Sequence, residues 1–245
     1  ILIKAMLYRK FQFNTFCYWP SNPKTIIEFI GGSYLATKPD LTYKRFIENL
    51  LKKNFAVHAY QYIPQFDHQD ISFRAWKDFK NCKKALYKRL DKQIQIIRVG
   101  HSLGCKLHLI GPDGGRNCEK FISISFNNFG ANRSIPFLKN ISKSLEFSSE
   151  FSPSPKRTLK IIENTYIQNK NLLIKFNSDK LDQTELLLSS LKSRLKDNSQ
   201  GISLKGNHTL IASAGLREDL LGEWADDDLK RKTIKKITDY IDNFN

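Results

Sequence analysis

One serine of this chain stands in a sequence that would make it a nucleophile. Ser102 lies in the run Gly100-His101-Ser102-Leu103-Gly104, after the apolar residues 94–99 and before a helix-compatible segment at 105–110. A strand, a sharp turn and a helix that meet at G-x-S-x-G raise the serine hydroxyl clear of a sheet, and the helix start directs N–H groups at it. Glycine is needed on both sides because so tight a turn has no room for a side chain. The pattern predicts acyl transfer through Ser102.

A serine nucleophile needs a base, and the chain offers very few. After residue 108 the sequence contains one histidine, His208, in the run Gly206-Asn207-His208. It follows a short predicted strand at 202–204, which is where the base belongs when the chain order is serine, acid, histidine. We therefore predict that His208 is the base, the alternative being an ordinary histidine of a surface loop.

The base in turn needs a carboxylate that orients it. A predicted strand at 172–176 is followed by Asp179 and, three residues later, by Asp182. We predict Asp179 as the acid because it lies three residues past the strand. Asp182 is the alternative, and it could instead cap the helix predicted to end at 195.

The negative charge that develops on a substrate oxygen needs hydrogen-bond donors. The backbone N–H of Leu103, directly after the nucleophile, is one predicted donor. The other would come from the loop after the first buried strand, where Gly32 and Ser33 are the predicted contributors. The glycine pair there could also be a simple tight turn. His101, beside the nucleophile, is expected to pack behind it without a catalytic role.

Strands and helices alternate along the chain in the way that would position these residues. Helical spacing occurs at 41–53, 71–90, 186–195 and 229–245, and apolar strand-like runs occur at 25–30, 55–60, 94–99, 120–125, 172–176 and 202–204. Such alternation predicts an α/β fold, a mostly parallel sheet with helices on both faces. We predict a single domain, 1–245, in which the proline- and serine-rich residues 128–165 form a small cap over the site, the alternative being a surface excursion.

Composition limits the classes of function. The chain has 245 residues, enough for one α/β domain, and contains no apolar run of membrane-spanning length. Its cysteines show no C-x-x-C spacing, and no glycine-rich dinucleotide motif follows a strand, so we predict neither a metal site nor a cofactor. Buried free thiols are expected at Cys17, Cys82, Cys105 and Cys118.

The net charge is +16, from 40 Lys and Arg against 24 Asp and Glu. Such an excess indicates either a partner with negative charge or compositional drift in an AT-rich genome. Lysines of the predicted helix 71–90 would form a basic face that meets an acidic protein or an anionic lipid surface. They are Lys77, Lys80, Lys83, Lys84 and Lys88. The sequence contains no continuous basic track with interleaved aromatics, which argues against nucleic acid as the partner.

Several short motifs, taken together and in order, resemble a family of α/β-hydrolase-like proteins called domain of unknown function 1350, known from cyanobacteria and plastids. The matching runs are Tyr18-Trp19-Pro20, Phe29-Ile30-Gly31-Gly32, Leu41-Thr42-Tyr43, Phe66-Asp67-His68-Gln69, Gly100 to His108, Ile124 to Asn128, Ser134-Ile135-Pro136, Phe151 to Pro155, Asn171 to Phe176, Asp182-Gln183-Thr184 and Gly206-Asn207-His208. The resemblance implies a hydrolase fold and a plastid location, in the stroma or at the thylakoid. It implies no substrate.

Two functions fit these observations. The first is a serine hydrolase that cleaves an ester or thioester bond of an acyl-containing small molecule or lipid. The second is a catalytically silent binding or assembly subunit that docks through its basic surface on a larger complex, such as one of a photosynthetic membrane. The order Ser102, Asp179, His208 favours the first, although fold alone does not fix function.

Overall fold

The computed structural model describes residues 8–131, 150–212 and 228–244. The described strands are β1 Tyr8–Gln12, β2 Thr15–Trp19, β3 Thr25–Ile30, β4 Phe55–Tyr60, β5 Gln95–His101, β6 Lys120–Ile124, β7 Asn171–Phe176 and β8 Gln200–Leu204. The described α-helices are α1 Pro39–Thr42, α2 Lys44–Lys52, α3 His68–Leu90, α4 Leu103–Leu109, α5 Pro155–Thr165, α6 Thr184–Lys192 and α7 Asp228–Asn243, and a 3₁₀ turn spans Tyr34–Thr37.

All of these strands belong to one sheet, in the order β1-β2-β4-β3-β5-β6-β7-β8. From β4 to β8 every neighbouring pair is parallel, whereas β1 and β2 are antiparallel to their neighbours. The predicted mostly parallel sheet is therefore confirmed. Sequence analysis did not predict the hairpin of β1 and β2, whose tight turn places Phe13 and Asn14 at positive φ. That turn twists in the sense that suits two antiparallel strands.

Helices cover both faces of the sheet, because neighbouring strand residues point in opposite directions. On one face, Ile27 and Val99 pack with α2 and α7 through side chains such as Phe46 and Ile237. On the other face, the strands pack against α3 to α6, as Leu173 does against residues of α4, α5 and α6. The two-sided arrangement explains why most strand residues are apolar on both sides.

Three buried charged side chains form one hydrogen-bonded cluster that links β5 to β3. Arg98 of β5 donates to Glu28 of β3 over 3.1 Å and forms two bonds of 2.8 and 2.7 Å with Asp113. Burial alone would raise the pKa of Asp113, but the hydrogen bonds and charge of Arg98 outweigh it and hold that pKa well below its usual value. Removing one partner would leave an uncompensated buried charge.

The predicted cap, 128–165, is described only at its two ends. Pro155–Thr165 is α5, and its Ile162 lies in the core with Leu173, so this end packs against the sheet rather than over a site. The apolar face of α5 follows from helical spacing. The helix begins at Pro155, and Ser154 caps it, because the Ser154 Oγ accepts from the Arg157 N–H. Residues 132–149 lie outside the described part of the chain, so a cap there stays a prediction.

Candidate active site

A strained turn carries Ser102 at the end of β5. Its backbone has φ 55° and ψ −121°, and α4 begins at the next residue. A positive φ costs a residue with a side chain free energy, which the surrounding structure must offset. The Ser102 N–H does so in part by donating to the Ile124 carbonyl over 2.9 Å. A Cβ on Gly104 would lie 2.0 Å from the Ile30 carbonyl oxygen, so the turn packs closely on β3 and requires that glycine.

Ser102, His208 and Asp179 meet at the carboxyl end of the parallel strands. The Oγ of Ser102 lies 2.9 Å from Nε2 of His208, and Nδ1 of His208 lies 2.7 Å from Oδ2 of Asp179. Ser102 is buried, whereas the His208 side chain is 17 % exposed and so is in contact with solvent. These distances fit a hydrogen-bonded nucleophile, base and acid.

Two loops are tied together so that Asp179 and His208 face each other. The Asn177 N–H donates to the Leu204 carbonyl over 3.0 Å, and the Ser178 N–H donates to the Gly206 carbonyl over 3.0 Å. Asn177 also accepts from the Gly206 N–H through its side chain. The pairing of β7 with β8 thus continues into the loops, which fixes the spacing of acid and base.

The two aspartates of this region have different surroundings. Asp179 accepts from the Leu181 N–H over 2.8 Å through Oδ1, which leaves Oδ2 for His208. Burial raises the pKa of Asp179, but the hydrogen bonds from His208 and Leu181 outweigh it, so the pKa lies below its usual value. Asp182 instead accepts from the N–H and the hydroxyl of Thr184 at the start of α6.

The predicted oxyanion donors lie beside the nucleophile. The Leu103 N–H is at the start of α4, where N–H groups have no partner inside the helix. Gly32 is close enough that a Cβ on it would lie 3.1 Å from the Ser102 Cβ. Its own N–H, however, donates to the Tyr43 hydroxyl over 2.8 Å. Of the two predicted loop donors, Ser33 is therefore the one whose N–H is not committed to Tyr43.

The side chain of His101 forms hydrogen bonds with both Tyr43 and His208. Its Nε2 lies 2.8 Å from the carbonyl oxygen of His208, and its Nδ1 lies 2.8 Å from the Tyr43 hydroxyl. Since a carbonyl can only accept, Nε2 carries the proton, Nδ1 accepts from Tyr43, and the Tyr43 oxygen accepts from Gly32. Burial lowers the pKa of His101 to about 3, so the ring is neutral. His101 also lines the cavity at Ser102, so its packing behind the nucleophile without a catalytic role stays a prediction.

A cavity of about 390 Å³ opens at Ser102 and His208. Its walls include Lys106, which the sequence reasoning did not assign to the site, and Asn128 and Phe151, which lie in the described ends of the predicted cap. Phe151 belongs to a segment that pairs with the loop before α3, since the Ser152 N–H donates to the Phe66 carbonyl. The only sequence signal for Lys106 was its position four residues after Ser102, one helical turn along α4.

The part of the chain that the structure describes contains neither a cluster of metal ligands nor an exposed thiol. No group of three or more His, Cys, Asp and Glu in residues 8–131, 150–212 and 228–244 could hold a metal ion. The four cysteines are free and buried. Burial raises the pKa of Cys105, the one nearest the nucleophile, to about 12, so this thiol is protonated at neutral pH.

A family model described as "Protein of unknown function (DUF1350)" matches residues 9–237. The chain belongs to the DUF1350 family. The resemblance drawn from the short motifs is thereby confirmed at the level of the family. No curated protein matches the chain.

Solved structures share the fold of this DUF1350 protein at low sequence identity. An esterase from Pyrococcus furiosus has a TM-score of 0.56 at 16% identity and covers 94% of this chain and 87% of its own. A monoacylglycerol lipase from Paleococcus ferrophilus has a TM-score of 0.55 at 12% identity, covering 96% and 100%. A fluorophosphonate-binding serine hydrolase from Staphylococcus aureus has 0.55 at 15%, covering 91% of both. The predicted α/β-hydrolase fold is confirmed.

Length and hydropathy of the helices bear on any membrane role. Among the helices of the three described ranges, none combines the length and apolar character needed to cross a bilayer.

Proposed function

We propose that this DUF1350 protein is a serine hydrolase that cleaves an ester or thioester bond of an acyl-containing small molecule or lipid. One observation carries the proposal: Ser102 Oγ, His208 and Asp179 are joined by hydrogen bonds of 2.9 and 2.7 Å on a strained turn. Strain of this kind needs a reason, and presenting a nucleophile is one. The family model and the neighbouring folds support a hydrolase scaffold without naming a substrate.

The tautomer of His208 follows from its two partners. The Asp179 carboxylate can only accept, so Nδ1 carries a proton and donates to Oδ2. Nε2 then has a free lone pair 2.9 Å from the Ser102 hydroxyl. In the proposed reaction Ser102 Oγ forms a bond to the acyl carbon while its proton passes to Nε2. The carboxylate of Asp179 stabilises the resulting imidazolium.

Breakdown of the tetrahedral intermediate completes the cycle. The Leu103 N–H and the Ser33 N–H are the donors that we propose for the substrate oxygen, since the Gly32 N–H is committed to Tyr43. The Nε2 proton of His208 goes to the departing alcohol or thiol, and the acyl group stays on Ser102. Water then loses a proton to Nε2 and attacks the acyl carbon. The bond from that carbon to Ser102 Oγ breaks, Oγ takes the proton from Nε2, and the acid is released.

Hydrolysis of simple substrates tests this proposal. p-Nitrophenyl butyrate and a butyryl thioester should be turned over by the wild type and not by Ser102→Ala. Ser178→Ala is a matched control, because Ser178 is an exposed serine of the neighbouring loop. Equal rates for wild type and Ser102→Ala would rule out Ser102 as the nucleophile.

A second function, docking through a basic surface, is favoured by the outer face of α3. Positions 73, 77, 80, 84 and 88 fall within an arc of about 80° at 100° per residue. All five side chains are exposed: Phe73, Lys77, Lys80, Lys84 and Lys88. None of these lysines forms an ion pair with another described residue. Lys83, predicted for the same face, is half-buried and lies outside the arc.

We propose that this lysine stripe of α3 meets an anionic membrane surface or an acidic protein, in a plastid stroma or at a thylakoid as the resemblance implies. The rings of Phe73 and Trp76 lie with their centres 6.1 Å apart at one end of the stripe, and aromatic side chains suit a lipid headgroup region. Binding to vesicles with 30% anionic lipid should weaken as salt rises, since charges are screened over about 10 Å at 0.1 M. Salt-independent binding would contradict docking through charge, and no binding would exclude the membrane surface and leave the acidic protein as the partner; neither result bears on the hydrolase proposal.

A further inference from the structure

Lys106 is a buried cation in the wall of the cavity at Ser102. The residue is 1% exposed, and its Nζ donates to the Pro153 carbonyl over 2.8 Å. An ammonium group has three N–H donors, and no described residue forms an ion pair with this one. Burying a charge without a contacting counterion costs free energy, so charged residues in this position are usually paired.

The hydrogen bond to Pro153 does not require that charge. A neutral amide could donate to a carbonyl equally well at a much lower cost of burial. Burial lowers the pKa of Lys106 to about 8, while the charge of Glu150 acts in the opposite direction. The side chain therefore remains mostly charged at neutral pH. The carboxylate of Glu150 is engaged with the Phe151 N–H over 2.9 Å.

The position of Lys106 relates it to the nucleophile. It lies on α4 one turn after Ser102, and helical side chains slant toward the N-terminal end of their helix. Ser102, Lys106, Phe151 and Asn128 all line the same cavity. The Nζ lies 5.8 Å from the ring centre of Phe151. Lys106 therefore lines the cavity where a substrate of the proposed reaction would lie.

Glu150 is the carboxylate whose charge acts on Lys106, but none of the described polar groups around Lys106 forms an ion pair with it. Asn128, 3% exposed, has an Oδ1 without a hydrogen-bond partner. His68, 3% exposed, stacks on Phe151 with ring centres 4.3 Å apart, and its Nδ1 also has no partner. Burial, and then the charge of Lys106, lower the pKa of His68 to about 3, so this ring is neutral. The unpaired Asn128 Oδ1 can only accept, so the donors that this corner offers to an anion are the free N–H groups of Lys106.

We propose that Lys106 is a specificity-determining residue that selects substrates carrying an anionic group, a carboxylate or a phosphate, away from the scissile bond. The anion would take a free N–H of Lys106 in a site of low water content, where a charged hydrogen bond is strong. This inference rests on the proposed hydrolase function, because it concerns the substrate of the same cavity. It narrows the acyl substrate from any ester to an anionic one.

Matched pairs of esters test the proposal on both sides of the scissile bond. The acyl-side pair is mono-p-nitrophenyl glutarate and p-nitrophenyl pentanoate. The leaving-group pair is 4-carboxyphenyl acetate and 4-carbamoylphenyl acetate. In each pair the ratio of kcat/KM, anionic over neutral, is compared between proteins, so differences in intrinsic reactivity cancel. For at least one pair, the ratio should fall about tenfold in Lys106→Gln and Lys106→Met relative to wild type.

Two controls separate charge from structure. Lys106→Gln keeps a donor for the Pro153 carbonyl, so it removes the charge with less risk to folding than Lys106→Met. Lys120→Met alters another buried lysine, one that donates to the Phe244 carbonyl at the opposite end of the sheet. Its ratios should equal those of wild type. Unchanged ratios for both pairs in folded Lys106→Gln, judged by thermal melting, would overturn the proposal.

A binding measurement keeps this inference separate from the proposed function. Calorimetry on Ser102→Ala should give tighter binding of one anionic ester, by about tenfold, than calorimetry on Ser102→Ala combined with Lys106→Gln. Binding that depends on Lys106, together with a wild type that hydrolyses none of the four esters, would retain the anion site and refute the hydrolase. Hydrolysis by the wild type, without a preference for anionic esters that depends on Lys106, would retain the hydrolase and overturn the anion site.

Discussion

The contact between Gly32, Tyr43 and His101 allows a quantitative prediction. Tyr43→Phe removes one hydroxyl and no ring atom, at a residue that is 0% exposed. In the wild type that hydroxyl accepts from the Gly32 N–H and donates to His101 Nδ1, both over 2.8 Å. The substitution therefore leaves one donor and one acceptor buried without partners.

Each unsatisfied buried group costs about 1 to 3 kcal/mol. We expect Tyr43→Phe to lower the free energy of unfolding by about 2 to 6 kcal/mol, since two such groups result. Release of the Gly32 N–H also frees the loop that carries the proposed Ser33 donor. Because loss of a complete oxyanion donor costs 100-fold or more in rate, partial misplacement should lower kcat by about tenfold with little change in KM.

Urea unfolding and ester hydrolysis are the two assays. Tyr166→Phe is the control, because the buried Tyr166 hydroxyl donates to Asn171 over 2.9 Å at the first residue of β7, far along the strand from the site. It should lose stability and keep kcat. A Tyr43→Phe protein with wild-type stability and wild-type kcat would refute the reasoning about this network.

Other predictions concern the acid, the buried histidines and the buried ion cluster. Asp179→Asn should lower kcat by about 10³- to 10⁴-fold, because the amide favours the wrong tautomer of the base, whereas Asp182→Asn should change kcat little in the same ester assay. Four buried histidines have pKa values lowered to about 3 by burial: His58, His68, His101 and His108. The unfolded chain takes up these protons below pH 6.5 while the folded protein does not, so stability is complete above pH 6.5 and is lost as the pH falls toward 3. Between pH 7.5 and 5.5 the free energy of unfolding, from urea titrations, should drop by about 1.4 kcal/mol per histidine, and an unchanged value would contradict neutral burial. Asp113→Ala should destabilise the protein by about 3 to 5 kcal/mol in urea, since it leaves the Arg98 charge only partly paired, and a loss below 1 kcal/mol would contradict this.

The parallel sheet could be predicted from sequence because it depends on local pattern. Apolar runs alternate with amphipathic segments, and the carboxyl ends of parallel strands lie along one edge. That rule also explains how Asp179 and His208, far from Ser102 in sequence, could be singled out by chain order alone. Their hydrogen bonds are a finding of the structure, and their catalytic roles remain proposals.

The contacts made by Tyr43 and Lys106 could not be predicted in the same way. Tyr43 lies between α1 and α2, far in sequence from His101, and nothing local indicates that their side chains meet. Lys106 on a short helix would ordinarily be read as a solvated side chain, since lysine is almost never fully buried. Only the packing of the segment around Phe151 over α4 makes it a buried cation. The hairpin of β1 and β2 was missed because its outer strand is mostly exposed.

Covalent labelling of Ser102 tests the central proposal most directly. A fluorophosphonate reacts with a serine whose hydroxyl is activated by a neighbouring base, and mass spectrometry of the digested protein identifies the modified residue. We predict one adduct, on Ser102, that forms in the wild type and at a greatly reduced rate in His208→Gln. An unlabelled wild type, or an adduct on Ser102 that forms equally fast without His208, would contradict the account.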